Sequence, residues 1–272
     1  MEVLDAAGKV LRKFSSVDKA EPITAFKNVP VYWIRQPKNL SAQAGLHRFV
    51  WDLRLPPPDS LSHGFPISAV PHDTPMEPQG PFVLPGTYTL RLTANGKSQT
   101  QPLVVKNDPR LKVSLADLQK QHALELQVTQ AMHDTYGAAK QAESLTEQIK
   151  SARGSASGDA AKALDDFNAK VTELASGGSA SGGFGADPYR NLDSLNSSLA
   201  GLLGSLGSTD AAPTRQQAEV AAEVAQHTQA LLQKWSQLLA TDLPKTNAAA
   251  GVKLDRNKPV TSTAEADSEN EE

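Results

Sequence analysis

The sequence predicts an α+β protein in two modules, an immunoglobulin-like antiparallel β-sandwich followed by an α-helical part, a four-helix bundle or hairpin. Three observations carry this. Prolines crowd the first 110 residues, while alanine and glutamine dominate after Ser114. Apolar side chains recur with a period of two before that boundary, and at spacings of three, four and seven after it. Between the two regimes lies Pro85 to Arg110, which has the pattern of a complete hairpin.

That hairpin is the clearest local signal. Pro85-Gly86 marks a turn. Tyr88, Leu90 and Leu92 then point one way and Thr89, Arg91 and Thr93 the other, as a half-buried strand requires. Asn95-Gly96 tolerates the positive φ of a type I′ turn, the connection that matches strand twist. The return strand runs from Ser98 to Lys106, with Leu103 and Val105 on one face. Pro102 lacks a ladder donor, which predicts an edge position or a bulge.

Earlier elements are shorter. Glu2 to Asp5 is strand-like, Ala7-Gly8 turns, and Lys9 to Phe14 alternates again. Val31 to Arg35 is an aromatic-rich strand candidate. Leu46 to Leu55 alternates with His47, Phe49, Trp51 and Leu53 on the inferred inner face. Pro56-Pro57-Pro58 ends it, and a proline-rich loop runs from Asp59 to Pro81, with a short strand candidate at Ile67 to Val70. About six or seven short strands of this size suit a sandwich over residues 1–110.

After Asp108-Pro109 the pattern is helical. Ser114 with Asp117 resembles a capping box. Leu124, Val128, Ala131, Ala138, Ala142, Leu145 and Ile149 then share one helix face. Gly154 to Gly158 breaks that helix. A second runs from Asp159 to Ala175, and the glycine-serine stretch 177–185 is a linker by composition. Asp187-Pro188 predicts the start of a third helix, whose stripe is Leu192, Leu195, Leu199, Leu202 and Leu206. Gly201, Gly204 and Gly207 weaken that helix unless close packing offsets them. Thr214 with Gln217 starts a fourth helix, predicted to stop before Pro244. The helical part therefore spans 114–244, and residues 245–272 are expected to be a disordered acidic tail.

Composition excludes several functions. The 272 residues carry a formal net charge of −3, and the last twelve residues hold five acidic side chains and no basic one. The remainder is close to neutral, so no nucleic-acid partner is expected. There is no cysteine, which removes thiolate metal sites and thiol nucleophiles. No segment has the length and apolarity of a membrane span, and MEVLDAAGKV lacks the basic and apolar regions of a signal peptide.

Candidate chemistry is sparse. Asp59, His63, His72 and Asp73 form the best local cluster of oxygen and imidazole ligands, but their spacing fits no ligand pattern. Adjacent Ser62 and His63 do not make a catalytic geometry. His122 and His133 are eleven residues apart on one helix and read as surface residues. Adjacent Asp165 and Asp166 point to different parts of a helix surface. No catalytic residue, metal site or cofactor is expected. Trp51 and Trp235 read as packing residues. Tyr32 and Trp33 alternate in direction if 31–35 is extended, so one of them faces outward, and they are the only surface aromatic candidates.

Several segments in order, EVLDAAGKVLRKFSS, VPVYWIRQP, AGLHRFVWDLRLPPP, ISAVPHDTP, QGPFVLPGTYTLRLTANGKSQTQPLVVKNDPR and SLADLQKQ, resemble the C-terminal portion of bacterial sortilin-type β-propeller proteins, the BNR-repeat or glycosyl-hydrolase-like group. The resemblance covers residues 1 to about 150. The sandwich part is also similar to the immunoglobulin-like domain of flagellar hook-capping proteins, through Asp5, Gly8 and Lys9 and through Trp51-Asp52. The resemblance implies an upstream propeller, which this sequence lacks, as the ligand-binding or catalytic part. It transfers no catalytic position to this chain. The expectation is a non-catalytic accessory and interaction module, a C-terminal fragment whose partner is a protein or the propeller itself. It would be extracytoplasmic within an exported parent, or cytoplasmic if made alone. The alternative expectation is glycan binding or a glycosyl-hydrolase-associated role, with Tyr32 and Trp33 as stacking residues.

Overall fold

The computed structural model describes residues 1–18, 30–35, 39–66, 70–177 and 187–259. Among these residues the chain is mixed α+β, with one four-stranded antiparallel sheet and four helices. The strands are β1 (Glu2–Leu4), β2 (Val10–Lys13), β3 (Gly86–Ala94) and β4 (Lys97–Val105). The helices are α1 (Leu115–Arg153), α2 (Gly158–Ala175), α3 (Leu192–Leu206) and α4 (Arg215–Ala250). The chain divides into two compact units. Unit 1 is Met1–Gln130 with Leu199–Ala221, and unit 2 is Ala131–Ser198 with Ala222–Glu272. The expected boundary near residue 110 is therefore displaced, because the start of α1 and the end of α3 belong with the sheet.

In unit 1 the sheet order is β2-β1-β3-β4. The β3–β4 hairpin is the one the sequence predicts, in register from Gly86 opposite Val105 to Ala94 opposite Lys97. Asn95 and Gly96 take φ of 50° and 75°, as a two-residue turn with right-handed twist requires. Pro102 lies in β4, an edge strand, where its missing N–H breaks no inner ladder. The β1–β2 turn is held by the Asp5 carboxylate, which accepts from the Ala7 and Lys9 amides at 2.9 Å. One face of the sheet buries Val3, Val83 and Tyr88, with Leu11, Phe14, Trp51, Leu53, Leu55, Leu90, Leu103 and Val105 packed around them.

Two predicted strands do not form. Val31–Trp33 is a single 3-10 turn. Leu46 to Leu55 has the apolar alternation of a strand, and Trp51 and Leu53 do pack inward, but it makes only one bridge, Arg54 opposite Phe82. Leu53 adopts φ of 62°, a left-handed conformation that interrupts an extended ladder. His47, expected on the inner face, is exposed and bonded to the Gln43 carbonyl at 2.8 Å. The candidate strand at 67–70 lies, but for Val70, outside the described residues, as does the linker beyond Gly177.

The helix starts follow their caps. The Asp117 amide donates to Ser114 Oγ at 3.1 Å, and the Gln217 amide to Thr214 Oγ1 at 3.2 Å. For the second box the reciprocal bond, Thr214 N–H to Gln217 Oε1, is 2.9 Å. Helix α3 starts later than Asp187-Pro188 predicts. Asn191 is its cap, accepting from the Ser194 amide at 2.9 Å, while Asp187 closes a separate turn on Tyr189. Helix α2 ends at Ala175, and Gly177, after the Ser176 cap, takes a φ of 85° that suits the left-handed residue following a helix.

In unit 2 the buried side chains include Met132, Leu145, Leu164, Phe167, Val171, Leu192, Leu195, Val224, Leu231 and Trp235. Polar bonds fix their order. Asn196 Nδ2 donates to the Met132 carbonyl and to Thr135 Oγ1, and Trp235 Nε1 donates to Gln141 Oε1. Helix α4 runs through Pro244 to Ala250 rather than stopping before it. The expected tail likewise begins later than residue 245. Leu254 is buried, Asp255 exchanges two bonds with Gln148, and Ser144 Oγ donates to the Lys258 carbonyl. Residues 260–272 lie outside the described residues.

The glycines of α3 receive no packing compensation at two positions. A Cβ on Gly201 or Gly204 would meet nothing within 4 Å. Gly201→Ala and Gly204→Ala are therefore expected to stabilise the chain by up to about 1 kcal/mol each, through helix propensity alone. A urea titration checks this, and a loss of stability in either variant would contradict it.

Candidate functional site

The sequence candidates Tyr32 and Trp33 lie in unit 1 on the 3-10 turn. Pro30 fixes an extended residue before the turn, and the Trp33 and Ile34 amides close it on the Pro30 and Val31 carbonyls. The segment 70–74 then clamps it. The Arg35 amide donates to the Thr74 carbonyl at 2.8 Å, Thr74 N–H to the Trp33 carbonyl at 3.0 Å, and His72 N–H to the Tyr32 carbonyl at 3.2 Å. Thr74 is buried and exchanges two bonds with Val70. Ile34, 2% exposed, anchors the turn from below. The Arg35–Asp73 pair at 2.7 Å is solvent-exposed, so it contributes at most about 1 kcal/mol.

This clamp holds apolar groups outward. Tyr32 is 60% exposed, Val70 55% and Val31 43%. The Tyr32 ring touches His72, with centroids 6.0 Å apart, and meets Trp33 edge-on at 84°. Tyr32 and Trp33 therefore do not form one flat platform. The result is an exposed aromatic-aliphatic knob on a hydrogen-bonded turn.

The other sequence candidates do not converge. His72 stands beside Tyr32, Asp73 pairs with Arg35, and His63 Nδ1 bonds the Glu77 carbonyl at 3.2 Å. Among the described residues no group of three or more His, Cys, Asp or Glu could hold a metal ion. No helix of the described residues is long and apolar enough to cross a membrane. His63 instead helps line a cleft of about 470 Å³ in unit 1, together with Arg54, Glu77, Gly201 and Gly204 of α3, and Gly207 just after that helix.

Behind that cleft is a charged cluster the sequence reading missed. Glu125 on α1 is 5% exposed. Its Oε1 accepts from Gln121 Nε2 at 3.3 Å, and its Oε2 is 3.9 Å from His122 Nδ1. Burial pushes the Glu125 carboxyl up to about 7, opposed by the Gln121 bond and by the Arg54 charge and reinforced by Asp210. Burial also lowers the His122 pKa, opposed by a hydrogen bond with the Phe82 backbone. His122, predicted to be a surface residue, is thus largely covered. Arg54 is held by the Gly80 carbonyl at 2.8 Å and by the Phe82 ring, 3.6 Å from its guanidinium carbon. Desolvation lowers its pKa, though not enough to uncharge a guanidinium. A sequence signal was present: Leu118, Gln121, Glu125, Val128 and Met132 follow the three-four spacing of one buried face.

No protein-family model matches the chain, and neither a curated protein nor a solved structure matches it.

Proposed function

We propose that this chain is a non-catalytic accessory and interaction module that docks through the Tyr32 knob of unit 1 onto a protein partner, a sortilin-type propeller domain being the first candidate. The observation that carries the reading is the exposure of Val31, Tyr32 and Val70 on a turn that buried Ile34 and Thr74 hold rigid. Solvent-exposed apolar groups on a stiff support lose little entropy on docking, and tyrosine is over-represented among the residues that dominate interface energies. The propeller assignment rests on the resemblance of residues 1 to about 150, which also makes this chain the C-terminal part of such a protein. In this reading the sheet with its covering segments is a reduced immunoglobulin-like sandwich. The helices of unit 2 form a four-helix bundle, a reading supported by the Asn196, Trp235 and Lys170–Asp242 contacts.

The test is the affinity of this chain for a bacterial sortilin-type propeller domain. Tyr32→Ala is expected to weaken binding about 30-fold, the effect of one dominant contact of about 2 kcal/mol, and to leave the thermal unfolding midpoint unchanged. No binding by the native chain, or equal binding by the variant, would sink the reading. Sugar binding lost in Trp33→Ala would replace it with the glycan alternative.

A further inference from the structure

We propose that the unit 1 cleft lined by Arg54, His63, Glu77 and the glycines at the end of α3 binds a small molecule through one carboxylate, held by the Arg54 guanidinium. The site is independent of the Tyr32 knob, none of whose residues lines the cleft.

Arg54 is the group that selects the ligand. A guanidinium carries five N–H donors in a fixed fork and keeps its charge in proteins. Arg54 Nη1 donates to the Gly80 carbonyl at 2.8 Å, and the Phe82 ring lies 3.6 Å from its guanidinium carbon. These two contacts fix the plane of the fork. The Leu55–Pro81 and Val83–Leu53 backbone bonds, each 2.8 Å, hold the segments that carry it. Asp52, Glu77 and Glu125 act on its charge, yet among the described residues none makes an ion pair with it. Nε and Nη2 have no protein acceptor among those residues. A held guanidinium with donors to spare is a receptor for a planar carboxylate, which can take two parallel N–H···O bonds.

The rest of the cleft sets size and charge. Its volume of about 470 Å³ is that of a small-molecule pocket. Gly201 and Gly204 weaken α3, and no protein contact requires them, since a Cβ on either would meet nothing within 4 Å. Both line the cleft, so side chains there would take up ligand volume. Departures from local sequence rules of this kind concentrate at functional sites. His63 Nδ1 lies 3.2 Å from the Glu77 carbonyl. A carbonyl only accepts, so Nδ1 carries the proton and the neutral ring keeps Nε2 as an acceptor for a ligand hydroxyl or N–H. The Gly64 and Glu77 amides, bonded to each other's carbonyls at 3.1 and 2.9 Å, steady this wall. Arg54 is the one lysine or arginine among the described lining residues, and Glu77 brings a negative charge to the same cleft. That balance suits a monoanion and disfavours a doubly charged phosphate ester.

A carboxylate of this size can come from a peptide end or from a sugar acid. Titration of the full chain with N-acetylglycine and with glucuronate separates the two, each beside its uncharged counterpart, N-acetylglycinamide or glucose. The readout is the amide resonances of Gly201, Gly204 and Gly207. At least one acid should shift them saturably where its uncharged counterpart does not, and the acid that does so names the source. Arg54→Gln should weaken that binding at least about tenfold. Because Arg54 also bonds Gly80, a second variant separates binding from folding. Gly204→Leu keeps Arg54, raises helix propensity and places its side chain in the cleft. It should lose the binding while the unfolding midpoint does not fall. Resonances unmoved by both acids, an equal response to the uncharged counterparts, or native binding in either variant would overturn the proposal.

Discussion

Gly80→Ala is expected to destabilise unit 1 by about 3 kcal/mol, at the severe end of overpacking costs. The added Cβ would stand 2.2 Å from the Leu55 carbonyl oxygen and 2.4 Å from that of Pro56. Neither obstacle is a mobile side-chain end. Both are backbone, and both belong to a segment already pinned. The Leu55 amide donates to the Pro81 carbonyl and the Val83 amide to the Leu53 carbonyl, each at 2.8 Å. Arg54 reaches across to the Gly80 carbonyl itself. Relief would have to separate the 53–56 and 80–83 segments, pulling Leu53, Leu55 and Val83 from the core around Val3 and Tyr88. Urea unfolding followed by Trp51 fluorescence measures the loss. A change below about 1 kcal/mol would mean that the two carbonyls yield without disturbing the core.

Gln121→Leu should cost about 2–4 kcal/mol, because the shape is kept while the partners are stranded. The Gln121 amide nitrogen donates to the Leu206 carbonyl at 2.7 Å, to the Thr209 carbonyl at 2.9 Å and to Glu125 Oε1 at 3.3 Å. Its oxygen accepts from the Ala211 amide at 3.3 Å. One 7%-exposed side chain therefore ties α1 to the end of α3 and to the connection that follows. The substitution leaves a buried carboxyl and a helix-terminal carbonyl without a donor. Faster amide exchange at Ala211 together with reduced stability is the expected signature. Unchanged exchange there would show that water or Ser208 takes over the contacts.

The elements with strong local causes were legible in the sequence. Asn95-Gly96 dictates its hairpin because few residues accept positive φ twice in succession. The leucine stripe of α3 and the two capping boxes are likewise encoded within single turns of chain. What was not legible depended on distant partners. Leu46 to Leu55 carries the alternation of a strand, yet alternation records only which face is buried. Trp51 and Leu53 are covered as expected, while the ladder needs a neighbour that Leu53 and its positive φ turn away from. Val31 to Arg35 bends into a turn because Thr74 and His72, some forty residues on, take its backbone groups. Asp187-Pro188 has the form of a helix start, but Asn191 captures that role nearer the buried leucines. The strand argument turns one of Tyr32 and Trp33 outward without choosing between them, and the exposure of Tyr32 arises from a turn instead. The His122–Glu125 pair escaped notice because polar residues on a helical stripe look like surface until the opposing Phe82 segment and 207–211 connection are known.

The Gln121 lock joins groups 85 to 90 residues apart in the chain. During synthesis, then, the sheet, α1 and the cleft-lining loop leave the ribosome well before the residues that complete their unit. At about 5–20 residues per second, the lock waits roughly 4–18 s for Leu206 to Ala211 to follow. For that interval Gln121 lacks its partners at Leu206, Thr209 and Ala211, and the helix face it shares with Glu125 is only partly covered. A stop codon or nick anywhere between them and Ala221 would leave the nascent first unit open, however complete its strands.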